Sequence, residues 1–291
     1  MTIFNLGSIN ADHVYRVPHL PGHGETLAAQ SLQTGLGGKG ANMSVAAARA
    51  GSHVAHIGAV GKDGLWARDR LTEYGVDTRH IAALEIPTGH AIINVDDDGE
   101  NAITLFSGAN QEIAEDSISQ ALSDAKTSDI VVMQNETNAQ GFCANTGSNL
   151  GFRVCYAAAP FDADAVKSVL PLLDFLILNA VEAEQLEDAL DTKIEALRVL
   201  DIIVTLGSKG ARWINTEQGI DKHFEALKVT PIDTTGAGDT FTGYVLSGLD
   251  RGLTMPQSIS LAMRAAALMV TRMGTADVIP DLEEVEEFSG V

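Results

Sequence analysis

Asp174-Phe175-Leu176-Ile177-Leu178 is an acid followed by an unbroken apolar run. The same form returns at Asp129-Ile130-Val131-Val132-Met133 and at Asp201-Ile202-Ile203-Val204-Thr205. A strand with one wet face alternates apolar and polar residues, whereas an unbroken run suits a strand buried on both faces of a parallel sheet. Helix-like stretches lie between the runs, at Asp162–Leu173 and Val181–Leu190. Strand and helix in alternation predict a three-layer α/β/α domain around a mostly parallel central sheet.

Each run gives way to polar residues. Gln134, Asn135 and Glu136 come after the first. Asn179 comes after the second, with Glu182 three residues on, and Leu206-Gly207-Ser208-Lys209-Gly210 come after the third. Open parallel sheets bind ligands beyond the carboxyl ends of their strands, so these residues are site candidates. Each is also an ordinary residue type for a strand-to-helix loop.

The front third has a different rhythm. Thr26–Thr34 and His90–Ser107 contain alternating stretches, and Asp96-Asp97-Asp98-Gly99-Glu100 is a turn signal within the second. The pattern predicts a hairpin that joins Ala11–Val17 in a small extra sheet, half covered, serving as a lid, a dimer surface or both. One domain, residues 1–291, is expected, with lid strands from about 11–34 and 88–107. There is no internal repeat, low-complexity tract or long linker.

The 291 residues suffice for one large core. Hydrophobic residues make up 45% and aromatics 5%, so that core is built from Ala, Val, Ile and Leu. A formal net charge of −20 argues against a nucleic-acid binder and against docking on an anionic membrane. It leaves phosphate ligands open, because backbone N–H groups at a helix start bind phosphate without lysines. Cys143 and Cys155 alone make neither a disulfide framework nor a zinc site. No apolar run approaches the roughly 18 residues of a membrane span. Met1–Gly7 lacks a basic leader and reads as a first strand, so a cytoplasmic location is expected.

Three motifs carry chemistry. In Asp233-Thr234-Thr235-Gly236-Ala237-Gly238-Asp239-Thr240-Phe241 the glycines open a helix whose apolar positions continue at Val245, Leu246 and Leu249. Small residues leave the first-turn N–H groups of 236–239 facing outward as an anion hole, reinforced by the helix dipole. A carboxylate at Asp239 can take a proton from a hydroxyl held near a phosphoryl group, or it can simply cap the helix. Capping alone does not call for three small residues before the acid. In Gly35-Leu36-Gly37-Gly38-Lys39-Gly40-Ala41-Asn42 the glycine spacing mimics a dinucleotide fingerprint, but the preceding Leu27–Thr34 is too polar for the buried strand such a fingerprint needs. Lys39 is followed by Gly40, so it is no Walker loop either. The stretch reads as a backbone-lined pocket wall from which Lys39 and Asn42 reach a polyhydroxylated ligand. In Gly7-Ser8-Ile9-Asn10-Ala11-Asp12, Asn10 and Asp12 point to one side and can grip two hydroxyls, although Asn-x-Asp is also a common turn.

Together these motifs resemble the ribokinase-like, or PfkB, family of carbohydrate kinases. The likeness runs from Gly7 to about Pro280. Gly7–His13 and Ser107-Gly108-Ala109-Asn110 draw it toward the ribokinases within that family. The resemblance implies ATP-dependent phosphorylation of a sugar primary hydroxyl, D-ribose first. Asn10, Asp12, Gly38, Lys39, Asn42 and Glu136 would hold the sugar. Asp239 would be the base, and the amides of Gly236, Ala237, Gly238 and Asp239 the anion hole. Asn179 and Glu182 match a motif that organises Mg²⁺ and phosphates, while Thr205, Gly207, Lys209 and Gly210 would flank the nucleotide. Asp233 and Thr235, with backbone of Arg272 and Gly274, match a K⁺ site. A homodimer through the lid sheet is also implied. The chain departs from the ribokinase pattern at Met263, near the adenine, at Val278, near the cation, and in a short stretch from Leu190 to Asp201. Kinases of fructose, 2-keto-3-deoxygluconate or nucleosides would keep Asp239 as well. A non-catalytic sugar or nucleotide sensor would have no need of the intact glycine run beside it.

Overall fold

The computed structural model describes residues 1–123 and 125–288. In chain order the strands are β1 (Thr2–Leu6), β2 (Asn10–Arg16), β3 (Ser31–Gly37), β4 (His53–Gly61), β5 (Asp77–Leu84), β6 (Gly89–Val95), β7 (Asn101–Phe106), β8 (Ile130–Gln134), β9 (Arg153–Ala157), β10 (Phe175–Asn179), β11 (Asp201–Thr205), β12 (Ala211–Asn215) and β13 (Ile220–Phe224). The α-helices are α1 (Lys39–Arg49), α2 (Leu65–Glu73), α3 (Glu115–Leu122), α4 (Gln140–Leu150), α5 (Ala163–Val169), α6 (Ala180–Leu190), α7 (Ala237–Asp250), α8 (Met255–Met269) and α9 (Leu282–Glu287).

Nine strands form one sheet in the order β13-β12-β11-β10-β9-β8-β1-β4-β5. From β11 to β5 every neighbour is parallel; β12 and β13 run antiparallel, at one edge. The unbroken apolar runs are buried on both faces, as their pattern requires. Ile130, Val132 and Ile177 join the core under α1, α2, α7 and α8. Val131, Met133, Leu176 and Leu178 join the opposite core, under α3, α4, α5 and α6. Three layers result, helices on either side of the sheet. Cys143 and Cys155 are buried and unpaired.

The acid that opens each run has a structural task. Asp129 Oδ1 accepts the Thr2 N–H of β1 at 2.8 Å, and Asp174 Oδ2 accepts the Val154 N–H of β9 at 2.9 Å. Asp201 Oδ1 accepts from Trp213 Nε1 and Asn215 Nδ2 of β12, both at 2.8 Å. Each carboxylate thus stitches its strand to a neighbour at the sheet rim.

Four strands form a second sheet in the order β3-β2-β6-β7. β6 and β7 are the antiparallel hairpin around Asp96–Glu100. Regular structure in the third strand starts only at Ser31; residues 26–29 are irregular, following Gly22 and a left-handed Gly24. The expected helix Asp162–Leu173 stops at Val169 and tightens to a 3₁₀ turn over Leu170–Leu172, where Pro171 cannot donate to an α-helical ladder. Between Leu190 and Asp201 only the 3₁₀ turn Ile194–Ala196 remains.

Candidate active site

The chain leaves β1 at Leu6 and crosses to the small sheet through Gly7–Ile9, directly beneath the start of α1. A Cβ on Gly40 would lie 2.3 Å from Gly7 Cα, and one on Gly37 would fall 2.0 Å from Asp12 Oδ2. Close approach, not flexibility, explains glycine here. Gly38, at φ +94°, turns the chain into α1.

This contact brings the predicted sugar residues together. Glu136, beyond β8, accepts with one oxygen both the Ser8 hydroxyl at 2.5 Å and the Lys39 N–H at 3.0 Å. Ser8 also takes the Gly40 N–H on its hydroxyl and the Ala41 N–H on its carbonyl. The Asn42 N–H goes to Gly38 O. The first-turn amides of α1 are therefore consumed internally. Asn10 Oδ1 accepts from Asn110 Nδ2 at 2.8 Å, and Asn110 Oδ1 accepts the Ile9 N–H at 2.9 Å. Burial, reinforced by the charge of Glu136, pushes the Asp12 carboxyl up to about 7.

The start of α7 differs. Gly236 is the left-handed N-cap, at φ +74°, and Asp239 is the third residue inside, making no capping bond. The Thr240 N–H closes onto Gly236 O, whereas the amides of Gly238 and Asp239 have no acceptor among the described residues. The Asp239 carboxylate, 7% exposed, accepts from Asn42 Nδ2 at 2.9 Å. Burial raises its carboxyl to about 6; Lys39 and Asn42 oppose that shift, and Glu136 and Glu182 add to it. Burial pulls the Lys39 ammonium down, but Asp239, Glu136 and Glu182 outweigh it and hold it above its ordinary value. Four charged groups thus converge from α1, α6, α7 and the loop after β8.

Asn179 and Glu182 form a reciprocal capping box on α6. Asn179 Oδ1 accepts the Glu182 N–H at 2.9 Å, and Glu182 Oε2 accepts the Asn179 N–H at 2.7 Å. Burial raises the Glu182 carboxyl against that amide and against Lys39. The second carboxylate oxygen is outside the box, so a hard cation has an oxygen donor beside the converging charges.

A cleft of about 820 Å³ opens from the start of α7. Thr205, Gly207, Lys209 and Gly210 line one wall, and Ala237, Gly238, Phe241 and Met263 another. Gly207 and Gly210 have φ of +59° and +102°, and a Cβ on Gly210 would strike Phe224 O at 1.9 Å. Behind it, Asp233 Oδ1 accepts the Thr235 N–H at 2.9 Å and Oδ2 the Gly274 N–H at 3.2 Å. The Arg272 guanidinium is engaged by Glu284 at 2.6 Å. One carboxylate among neutral oxygens suits an alkali cation, but Val278 sets its two methyl groups 3.4 and 3.8 Å from a Cβ built at Gly274. Among the described residues no cluster of three His, Cys, Asp or Glu could hold a metal.

Sequence reasoning does not single out Ser8 as a site residue, and it reaches Asn110 only through its motif. A serine directly after a strand-end glycine, under a helix start, is the available signal for Ser8, since hydroxyls there accept orphan amides.

The chain matches the pfkB family carbohydrate kinases over residues 2–282. It is 36% identical over 302 residues to a ribokinase of Haemophilus influenzae, covering 99% of this chain and 98% of the relative. It is 32% identical over 309 residues to a deoxyribokinase of Salmonella typhi, with the same coverage. The solved structure of an Arabidopsis thaliana ribokinase complexed with ribose and ATP superposes with a TM-score of 0.86 at 27% identity, over 99% of each chain. The chain belongs to the pfkB family of carbohydrate kinases and is a sugar kinase.

Proposed function

We propose that this sugar kinase transfers the γ-phosphoryl group of ATP to the primary hydroxyl of D-ribose, giving D-ribose 5-phosphate and ADP. The observation that carries the reading is Asp239: buried, held by Asn42, free of any capping duty, and next to two unused amides. The sugar lies between Asn10, Asp12, Gly38, Lys39, Asn42 and Glu136. Its hydroxyl gives its proton to Asp239 as the oxygen attacks the γ-phosphorus and the bond to the β–γ bridging oxygen breaks. Of the expected amides 236–239, the Ala237 N–H is already taken by Thr234 O, so those of Gly238 and Asp239 would meet the charge of the transferring group, since unpaired N–H groups at a helix start are preorganised for it.

ATP occupies the cleft walled by Thr205, Gly207, Lys209, Gly210 and Gly238. Asn179 and Glu182 would hold Mg²⁺, which supplies neutralisation of phosphate charge. Asp233, Thr235 and the carbonyls of Arg272 and Gly274 would hold K⁺, with Val278 limiting the space. Among the described residues no helix is long and apolar enough to cross a membrane, and the use of ATP goes with a cytoplasmic location. The small sheet, whose β2 carries Asn10 and Asp12, works as a lid on the sugar site and pairs with a second copy; Ile103 and Leu105, 54% and 61% exposed, are the apolar surface such pairing would cover. Light scattering that reports a monomer would remove the dimer.

The deciding experiment is a coupled ADP-release screen over D-ribose, 2-deoxyribose, fructose, 2-keto-3-deoxygluconate and nucleosides, with and without K⁺. Ribose should give the highest kcat/KM. A higher value for any other sugar overturns the assignment of ribose.

A further inference from the structure

Beneath the crossing of Gly7 and Gly40 lies a buried layer of four polar side chains that touch none of the proposed ligand groups. Gln134 Nε2 donates to Asn5 Oδ1 at 2.7 Å. Asn5 Nδ2 donates to Ser44 Oγ and to Gly40 O, each at 2.8 Å. Ser44 Oγ lies 2.8 Å from His56 Nδ1, and His56 Nε2 lies 3.0 Å from Gly7 O. A carbonyl can only accept, so Nε2 carries the imidazole proton and Nδ1 accepts from Ser44. Every bond then has one direction, from Gln134 through Asn5, Ser44 and His56 to Gly7 O. All four side chains are at most 1% exposed. Burial, opposed by the Gly7 carbonyl, pulls His56 down to about 4, which keeps the neutral tautomer in place.

Bonds between two of these side chains add little net stability over apolar side chains of the same shape; what such a replacement would lose is the donor to the Gly7 carbonyl. A directed chain adds position instead. Its two main-chain acceptors are Gly7 O, at its end, and Gly40 O, on a branch from Asn5, and they lie on the two backbone segments that meet at Gly7 and Gly40. Ser8, Asn10 and Asp12 come next on one of those segments, Ala41 and Asn42 on the other.

We propose that His56, acting through Ser44 and Asn5, is a positioning residue for sugar binding: it sets the spacing between the start of β2, which carries Asn10 and Asp12, and the first turn of α1, which carries Lys39 and Asn42. The proposal rests on the assignment of those residues to the sugar. It predicts an effect on sugar affinity and none on nucleotide affinity, because the chain stops short of the cleft at α7.

The test uses the full-length enzyme, with D-ribose Kd by calorimetry and KM for ATP. His56→Leu should weaken ribose about tenfold, the size of one or two net hydrogen bonds, and leave ATP KM within about twofold. His56→Gln can donate to Gly7 O and accept from Ser44, and should return ribose Kd to within about threefold. If His56→Leu does not fold, Ser44→Ala, which removes only an oxygen, should still weaken ribose about threefold with ATP KM unchanged. Unchanged ribose Kd in both overturns the proposal. So does a parallel loss for ribose and ATP, with a lowered Tm and no rescue by Gln, which would mark a packing role. Asp12→Ala separates the two levels: if it leaves ribose Kd intact, the sugar assignment itself fails; if it weakens ribose while His56→Leu does not, only the positioning role fails.

Discussion

Asn42 Nδ2 donates to Asp239 Oδ2 across 2.9 Å, joining the first turn of α1 to the first turn of α7. The other amide atom, Asn42 Oδ1, is buried and has no partner among the described residues. A buried acceptor left unpaired costs about 1–3 kcal/mol, so this oxygen awaits a donor. A sugar hydroxyl other than the attacking one would supply it, leaving the attacking hydroxyl free to give its single proton to the Asp239 carboxylate.

Asp239→Asn should lower kcat by about a thousandfold, within the range of general-base catalysis, and leave sugar Kd within a few-fold. Steady-state kinetics and calorimetry on the same preparation check it. Near-normal turnover would remove Asp239 as the base.

The kcat/KM profile for the sugar should fall on its acid limb near pH 6, where Asp239 takes up its proton. Lys39 is the principal group holding that value down, so Lys39→Met should move the limb to higher pH. A limb left in place by that variant would separate Lys39 from Asp239.

Stability should run the other way. The Asp239 carboxyl is raised from 3.8 to about 6 in the folded protein, so the folded state binds that proton more tightly than the unfolded chain. This contribution is complete below about pH 4 and is lost as pH rises through about 6. Asp239→Asn stays neutral throughout. It should exceed wild type at pH 7.5 by up to about 3 kcal/mol and match it by pH 4. Denaturant melts at the two pH values decide it; an equal gap at both would point to packing instead.

Gly37→Ala should act on the sugar alone. Its methyl would fall on the Asp12 carboxylate at 2.0 Å and displace it. Sugar KM should rise about tenfold or more, with ATP KM unchanged, for the loss of a charge-assisted hydrogen bond. A normal sugar KM would show that Asp12 is not a ligand.

Gly210→Ala should act on the nucleotide side. Its Cβ would meet Phe224 O at 1.9 Å, on a backbone at φ +102°. Overpacking of this kind costs about 1–3 kcal/mol, and the wall of the cleft must shift to relieve it. ATP KM should rise while sugar Kd holds; the reverse pattern would place ATP elsewhere.

The central parallel strands could be read because burial on both faces leaves a short apolar run, and in these three it is opened by an acid and followed by polar loop residues. β12 and β13 escaped such a reading, since edge strands such as Ile220–Phe224 put polar residues between their apolar ones. The Gly-Ala-Gly helix start and the Asn10–Asp12 pair were legible because they put unusual residues at strand and helix ends. Asn5, Ser44 and His56 were not. Each is a single polar residue inside an apolar stretch, and only the folding together of β1, β4 and α1 makes them neighbours. Gln134 was legible only as the first polar residue after an apolar run, not as their partner. Glu182 illustrates the middle case: its spacing from Asn179 was visible, but the reciprocal cap that fixes it belongs to the folded backbone.

The crossing of Gly7 and Gly40 bears on how this sequence can drift. A side chain on either residue would meet the other's Cα at 2.6 or 2.3 Å, and backbone has no rotamer through which to retreat. A neighbour's compensating change has nothing to act on, because the obstacle is main chain. In a saturation library selected for growth on the sugar, these two columns should therefore be empty of every substitution, alanine included, even while residues that touch ligand tolerate conservative replacements.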